Sequence, residues 1–272
     1  MIDALRYEIV RLRTIRSTYW LIGIALVFQL LVSMLIAGLY PESGPLSGGD
    51  DAFAILATIG ASLGAAPLFI AYVMGLLGVF SMGHEYRHGM IRATLTALRS
   101  RVAVLAAKVV TIAVIAAVVA FVCSLLALLS GAMFGVGPPS FAGWRDLTVG
   151  IVLFTTLFAL SGLAIATLTR NQTVAVALVL LIPTVMESIL KTIVLAIKVS
   201  SDDPTSKGGI ATLVKFLPYD AGGQMYTRIS VGRMLEIFGI IPFGPVGGGL
   251  VLAVFVALLL ALSTWLLLRR DA

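Results

Sequence analysis

Ser81-Met-Gly-His-Glu-Tyr-Arg-His-Gly-Met-Ile-Arg-Ala-Thr-Leu-Thr-Ala-Leu-Arg-Ser-Arg101 is a charged, polar stretch set between two long apolar runs. Within it Tyr86, Met90, Ile91, Leu95 and Leu98 recur at helical spacing, and Arg87, Arg92, Arg99 and Arg101 lie around them. This spacing predicts a short amphipathic helix at or below a membrane surface, joining two spanning helices. Gly83 before it and Gly89 within it give the chain room to turn sharply. Such a segment suits the receipt of force from a soluble partner. It equally suits a basic loop whose only task is to fix topology.

The composition explains why the flanking runs are read as spans. Of 272 residues, 60% are hydrophobic and 12% charged, and the mean hydropathy is +1.07. Soluble domains carry about 25% charged residues, so the chain is expected to be a polytopic membrane protein. Its net charge of +6 sits mostly beside apolar runs, where it sets orientation and meets anionic lipid rather than nucleic acid. The one cysteine, Cys123, lies in an apolar helix as a small packing residue, so no disulfide or cysteine–metal framework is expected within one chain. The N-terminus is charged and amphipathic and does not have the pattern of a cleavable signal.

Residues 1–18 place Ile2, Leu5, Ile9, Leu12 and Ile15 on one stripe, with Arg6, Arg11, Arg13 and Arg16 on the other faces. This predicts an interfacial helix lying flat on the bilayer. Apolar runs over about 19–39, 52–82, 102–134, 147–168, 174–199 and 246–268 predict an all-α fold with six spanning helices. The second run is long and contains Pro67, which predicts a kink or tilt. Gly60, Gly64, Gly75 and Gly78 offer close helix contact there. Lys108, near the start of the third run, is expected to snorkel back to the interface. Residues 200–245 form the longest non-spanning region, either an external cap or a re-entrant pair of helices. Arg6, Arg11, Arg13, Arg16, Arg87, Arg92, Arg99, Arg101, Arg170, Arg269 and Arg270 all fall on the side of the termini. The first loop on the other side has no Lys or Arg and the second has only Arg145. Both termini are therefore expected in the cytoplasm and the chain in the plasma membrane as a multi-pass protein. No internal repeat supports an inverted-repeat carrier.

No phosphate-binding loop is present, so any ATP that drives this protein is hydrolysed by another chain. His84-Glu85-Tyr86-Arg87-His88 matches H-E-x-x-H, the one enzyme signature here. A zinc peptidase would use both imidazoles, a third ligand, and Glu85 as general base. Against it, Arg87 and Arg92 repel a cation, and the chain holds no third histidine. The expectation is no metal site. Glu187 and Lys191 lie four apart in the fifth run and so share a helix face, where they can neutralise each other. They form either a polar patch on a substrate path or subunit interface, or an ion pair near the outer end. Gln29, Ser33, Thr155, Thr156 and Ser161 offer polar points for a cavity, or interhelical hydrogen bonds.

Arg13-Thr-Ile-Arg-Ser-Thr-Tyr-Trp20 resembles the lead into the first span of actinobacterial ABC-2 type permeases. Glu85-Tyr-Arg-His-Gly-Met-Ile-Arg-Ala-Thr-Leu-Thr-Ala97, with Val104-Leu-Ala-Ala-Lys108, resembles their segment between spans two and three. The six-span layout, with its larger insert before the last span, agrees across the whole chain. The resemblance implies that residues 2–18 are an elbow helix carrying Arg11, Arg13 and Arg16. It implies that residues 83–100 include a coupling helix, with Gly83, His84, Glu85, Tyr86, Arg87, His88, Gly89, Met90, Ile91 and Arg92 docking on an ABC ATPase subunit. Glu85, Arg87 and Arg92 would be the foremost polar contacts there. Two such ATPase subunits, which would hold ATP and Mg, and a second permease chain, identical or homologous, complete the assembly. Residues 200–245 would close the outer exit. The implied activity is outward transport of an apolar or amphipathic compound, with no catalysis and no cofactor in this chain. An intramembrane zinc peptidase and an ATP-independent channel or carrier remain the alternatives.

Overall fold

The computed structural model describes residues 2–39, 48–61, 68–87, 89–90, 100–199, 209–227 and 243–269, and every regular element among them is helical. In chain order these are α1 (Ile2–Thr14), α2 (Arg16–Leu39), α3 (Gly49–Thr58), α4 (Phe69–Arg87), α5 (Arg101–Met133) and α6 (Phe141–Thr169). Then come α7 (Gln172–Leu181), a π-helical turn (Ile182–Met186), α8 (Glu187–Val199), a 3-10 helix (Gly209–Phe216), α9 (Pro218–Gly223) and α10 (Pro245–Arg269).

Five stretches among the described residues are long and apolar enough to cross a membrane: Arg16–Leu39, Arg101–Met133, Phe141–Thr169, Gln172–Ile197 and Pro245–Arg269. Their outward faces are aliphatic, as at Leu31, Leu35, Val114, Val118, Val254 and Leu258, all exposed. Such faces suit lipid tails.

The run read from sequence as one long second span is divided. α3 has 10 residues, a rise of about 15 Å, roughly half a hydrocarbon core. It ends where Ile59 adopts a left-handed φ of 53° and Gly60 follows at 79°. A β-branched residue in that region is a true outlier, and the Gly60 amide closes the helix end by donating to the Ile55 carbonyl at 3.0 Å. Pro67, where the kink was expected, lies outside the described residues. Helix ends leave carbonyls without intrahelical partners, and α2 supplies donors. Gln29 Nε2 and Ser33 Oγ reach the Leu56 carbonyl at 2.9 and 3.0 Å. Of the two roles open to these residues, the structure gives them interhelical hydrogen bonding.

α4 lies at the centre, with Ala71, Met74, Val79 and Met82 buried. It packs most extensively on α6, and the two touch backbone to backbone. A Cβ on Gly78 would collide with the Ala159 carbonyl oxygen, and one on Gly162 with that of Gly75. Large side chains fill the space beside this seam, among them Phe158, Met74 and Leu163.

The two ends of the bundle are fastened differently. Where α6 begins, Asp50 of α3 accepts from the Ser140 amide at 2.6 Å and its hydroxyl at 2.9 Å. Ser140 in turn caps α6 through the Gly143 amide. At the opposite end Asn171 caps α7 through the Thr173 and Val174 amides. There Arg101, at the start of α5, donates to the Leu267 carbonyl of α10 at 3.2 Å.

Candidate functional site

Four charged side chains meet where α1, α4 and α5 converge. Lys108 comes from the second turn of α5, Glu85 from the last turn of α4, and Glu8 and Arg11 from one face of α1, three residues apart. Lys108 Nζ donates to Glu8 Oε1, to Glu85 Oε1 at 2.6 Å and to the Ser81 carbonyl at 3.2 Å. Arg11 Nη1 stands 3.1 Å from Glu85 Oε1 and 3.0 Å from Glu8 Oε2. The side chains of Lys108 and Glu85 are 0% exposed, and those of Glu8 and Arg11 are 1% and 6% exposed. Burying an ion costs several kcal/mol unless a partner neutralises it. Here two cations face two carboxylates, so the group has no net charge.

The arrangement joins three helices at one point. Glu85 and Lys108 lie on either side of residues 88–99, so both flanks of that segment are anchored to the same cluster. Arg11 Nε and Nη2 and Glu85 Oε2 have no hydrogen-bond partner among the described residues.

Several expectations change here. Lys108 does not snorkel: its ammonium is wholly enclosed and paired. Glu85 does not face outward as a docking contact, because α4 runs on as far as Arg87. That places Glu85 one turn beyond Ser81 on the buried side. Gly83 does not turn the chain. It lies within α4, where a Cβ would stand 3.0 Å from Gln172 Cγ of α7. Arg11 faces inward, whereas Arg13 and Arg16 are exposed. The His84 ring lies 5.2 Å from that of Phe80, and the Arg170 guanidinium lies 6.0 Å from the Tyr86 ring. Arg87, Gly89 and Met90 are exposed. His88, Ile91 and Arg92 lie outside the described residues. Glu85, the general base of a zinc reading, is engaged by Lys108 and Arg11.

A second buried group sits on the other part of the bundle. Pro183 lacks an amide and cannot continue the α-helical ladder, and the chain takes a π turn there. The Glu187 amide reaches back to the Ile182 carbonyl, a five-residue step typical of π bulges at functional positions. Glu187 Oε1 and Oε2 then accept from the Tyr219 and Asp220 amides at 3.0 and 2.8 Å. They satisfy amides that the first turn of α9 leaves without partners. Lys191 does not pair directly with Glu187; it bridges Asp220 at 2.6 Å. The Tyr219 hydroxyl donates to Ser161 Oγ at 3.0 Å. Burial pushes the Tyr219 phenol up to about 12, with the Ser161 hydrogen bond opposing, so it stays a donor at ordinary pH.

This second group fixes part of the 200–245 region. α9 is wedged against α6 and α10, and small residues admit it. A Cβ on Gly150 would collide with the Met225 carbonyl oxygen, and one on Gly248 with that of Ala221. Of residues 200–245, the stretches 200–208 and 228–242 lie outside the described residues.

Glu8 and Asp220, which complete the two groups, were not singled out from sequence. Each pairs with a residue far away in the chain.

No curated protein matches this chain. A family model described as ABC-2 family transporter protein matches residues 4–186. The match takes in all four charges of the first cluster and ends one residue before Glu187. Covering about two-thirds of the chain, it shows that this protein, with its bundle of apolar helices, belongs to the ABC-2 transporter family as a membrane permease.

Proposed function

We propose that this chain is the membrane-spanning subunit of an ABC-2 exporter, moving an apolar or amphipathic compound outward by alternating access while a separate subunit hydrolyses ATP. The observation that supports this most is the Glu8–Arg11–Glu85–Lys108 cluster. A partner that pushes on residues 88–92 needs its force carried into the membrane, and a flexible attachment would dissipate it. The cluster ties both flanks of that segment to α1 through buried ion pairs. α1 acts as the elbow helix, with Arg13 and Arg16 on the surface side, while Arg87, His88, Met90 and Arg92 supply docking contacts. α3 and α4 together act as one crossing, which makes six, and both termini lie in the cytoplasm.

In this reading ATP binding closes a pair of ATPase subunits, which hold the nucleotide and Mg. The stroke enters at residues 87–92 and passes to α4 and α5. A second permease chain, identical or homologous, completes the pathway. The exposed apolar face of Val185, Ile189 and Ile193 beside the Glu187 group supports pairing there. The wedge formed by α9 closes the outer exit.

The test is reconstitution with the ATPase subunit. Arg87→Glu and Arg92→Glu are expected to abolish substrate-stimulated ATP hydrolysis while leaving membrane insertion normal. Full stimulation in both variants would overturn the coupling role. Transport by the chain alone in liposomes without ATP would establish the channel or carrier reading. Stoichiometric zinc, with proteolysis lost in Glu85→Gln, would establish the peptidase.

A further inference from the structure

The fifth apolar span changes character at its π turn. Before the turn, α7 is packed into the bundle. Ala175 and Val179 are buried, and a Cβ on Gly75 of α4 would stand 3.1 Å from Val179 Cγ1. The turn itself is pinned: Pro183 is buried, and Thr184 Oγ1 lies 2.6 Å from the Tyr72 hydroxyl of α4. After the turn the packing stops. Ser188, Ile189, Leu190, Thr192 and Ile193 are exposed, and among the described side chains of α8 only that of Glu187 is buried. α8 packs chiefly on the π turn that leads into it and on the 3-10 helix.

A helix placed this way draws little from an apolar face, the usual source of helical stability in a protein. Its position against α9 depends on polar contacts. Two are the hydrogen bonds that Glu187 accepts from the Tyr219 and Asp220 amides. The third is the Lys191–Asp220 bridge, whose side chains are 30% and 26% exposed, and a pair so placed contributes less than a buried one. α9, by contrast, is fastened elsewhere. It meets α6 and α10 through the close backbone contacts at Gly150 and Gly248, and the Tyr219 hydroxyl holds Ser161. α9 is the anchored partner and α8 the movable one. A π turn that contains a proline concentrates bending in a few residues, and this one stands between the packed half of the span and the unpacked half.

We propose that residues 182–186 are a hinge and that Glu187 is the latch of an arm, α8, which swings off α9. Release parts two amide–carboxylate hydrogen bonds and one part-exposed bridge, and leaves α6, α9 and α10 as they are. Glu187 is a positioning residue that sets where α8 stands. The hinge does not depend on which compound is moved or on how ATP is coupled.

The test is double electron–electron resonance on the full chain in lipid nanodiscs, in a Cys123→Ala background. Spin labels go on Ile193→Cys of α8 and Leu153→Cys of α6, both exposed positions. The native latch should give one narrow distance. Glu187→Gln keeps the side-chain size but offers one carbonyl oxygen, so one of the two amides loses its acceptor. The population of a second distance should then rise about tenfold, as loss of one hydrogen bond to a charged group implies. Lys191→Met should give a smaller rise. Pro183→Ala, which returns the missing amide, should suppress the second distance in the Glu187→Gln background. Labels on Val174→Cys and Leu153→Cys, with Val174 before the turn, should report the same distance in every variant. An unchanged distribution in Glu187→Gln would overturn the latch. A shift in the Val174 pair as large as that in the Ile193 pair would mean general loosening and overturn the hinge, as would a second distance that Pro183→Ala does not diminish.

Discussion

Lys108 shows how the environment of a single residue decides its role. Lys108→Met leaves Glu8 and Glu85 facing each other, enclosed, with only Arg11 between them. Removing one partner from a buried ion group costs about 3–5 kcal/mol, so a large drop in melting temperature is expected in detergent. Lys108→Met combined with Glu85→Gln should restore most of it, because the Arg11–Glu8 pair then remains with its charges balanced. If the double variant melts no higher than the single one, the cluster is not held by charge pairing. In the second group, the Lys191→Met/Asp220→Asn double-mutant cycle should show a coupling of about 0.5–1 kcal/mol. Lys191→Met/Glu187→Gln should show a smaller one. A larger coupling to Glu187 would contradict the observed bridge.

What the sequence concealed at this scale was distance along the chain. Lys108 stood out as a cation in an apolar run, and snorkelling was the one local remedy visible. Its actual partner Glu8 lies one hundred residues earlier, on a helix whose pattern presents it as surface. Glu85 was conspicuous too, but its direction depends on where α4 stops. With the helix extended to Arg87, Ser81 and Glu85 fall one turn apart on the face that meets Lys108. The i,i+4 spacing of Glu187 and Lys191 suggested a local pair, whereas Asp220 arrives only when α9 folds in.

Among elements, the contact between α4 and α6 is the most constrained. Gly78 was legible as a small-residue contact, though not which helix it meets. Gly78→Leu places a branched side chain where the Ala159 carbonyl already sits. Overpacking of this kind costs about 1–3 kcal/mol or more. It should appear as aggregation on size-exclusion chromatography or a marked loss of melting temperature. A Cβ on Gly23 of α2 would meet nothing within 4 Å, so Gly23→Ala should be neutral or gain up to about 1 kcal/mol from helix propensity. Equal behaviour of the two variants would refute the close-packed seam. The five long apolar helices were readable because hydropathy alone defines them. The division of the second run was not, because it rests on a left-handed Ile59 whose own propensity opposes it. The π turn had a visible signal in Pro183, but a proline alone does not distinguish a kink from a bulge.

For the whole molecule, the orientation inferred from charge bias is open to direct measurement. Cys123 is buried, so the native chain should give a silent background to thiol reagents. Cysteine placed at exposed Pro138 should react with a membrane-impermeant maleimide on intact cells. Cysteine at Arg13 or Arg269 should react only after permeabilisation. The reverse pattern would invert the topology and remove residues 87–92 from reach of any cytoplasmic motor.

The seam between α4 and α6 also limits how the protein can move. Surfaces cushioned by long side chains can slip, because the chains change rotamer as they pass. Two peptide planes pressed together have nothing to rearrange, so sliding or rolling would drive carbonyl oxygen into Cα. The pair must therefore travel as a single blade, and whatever opens the pathway has to pivot around its outline rather than through its middle.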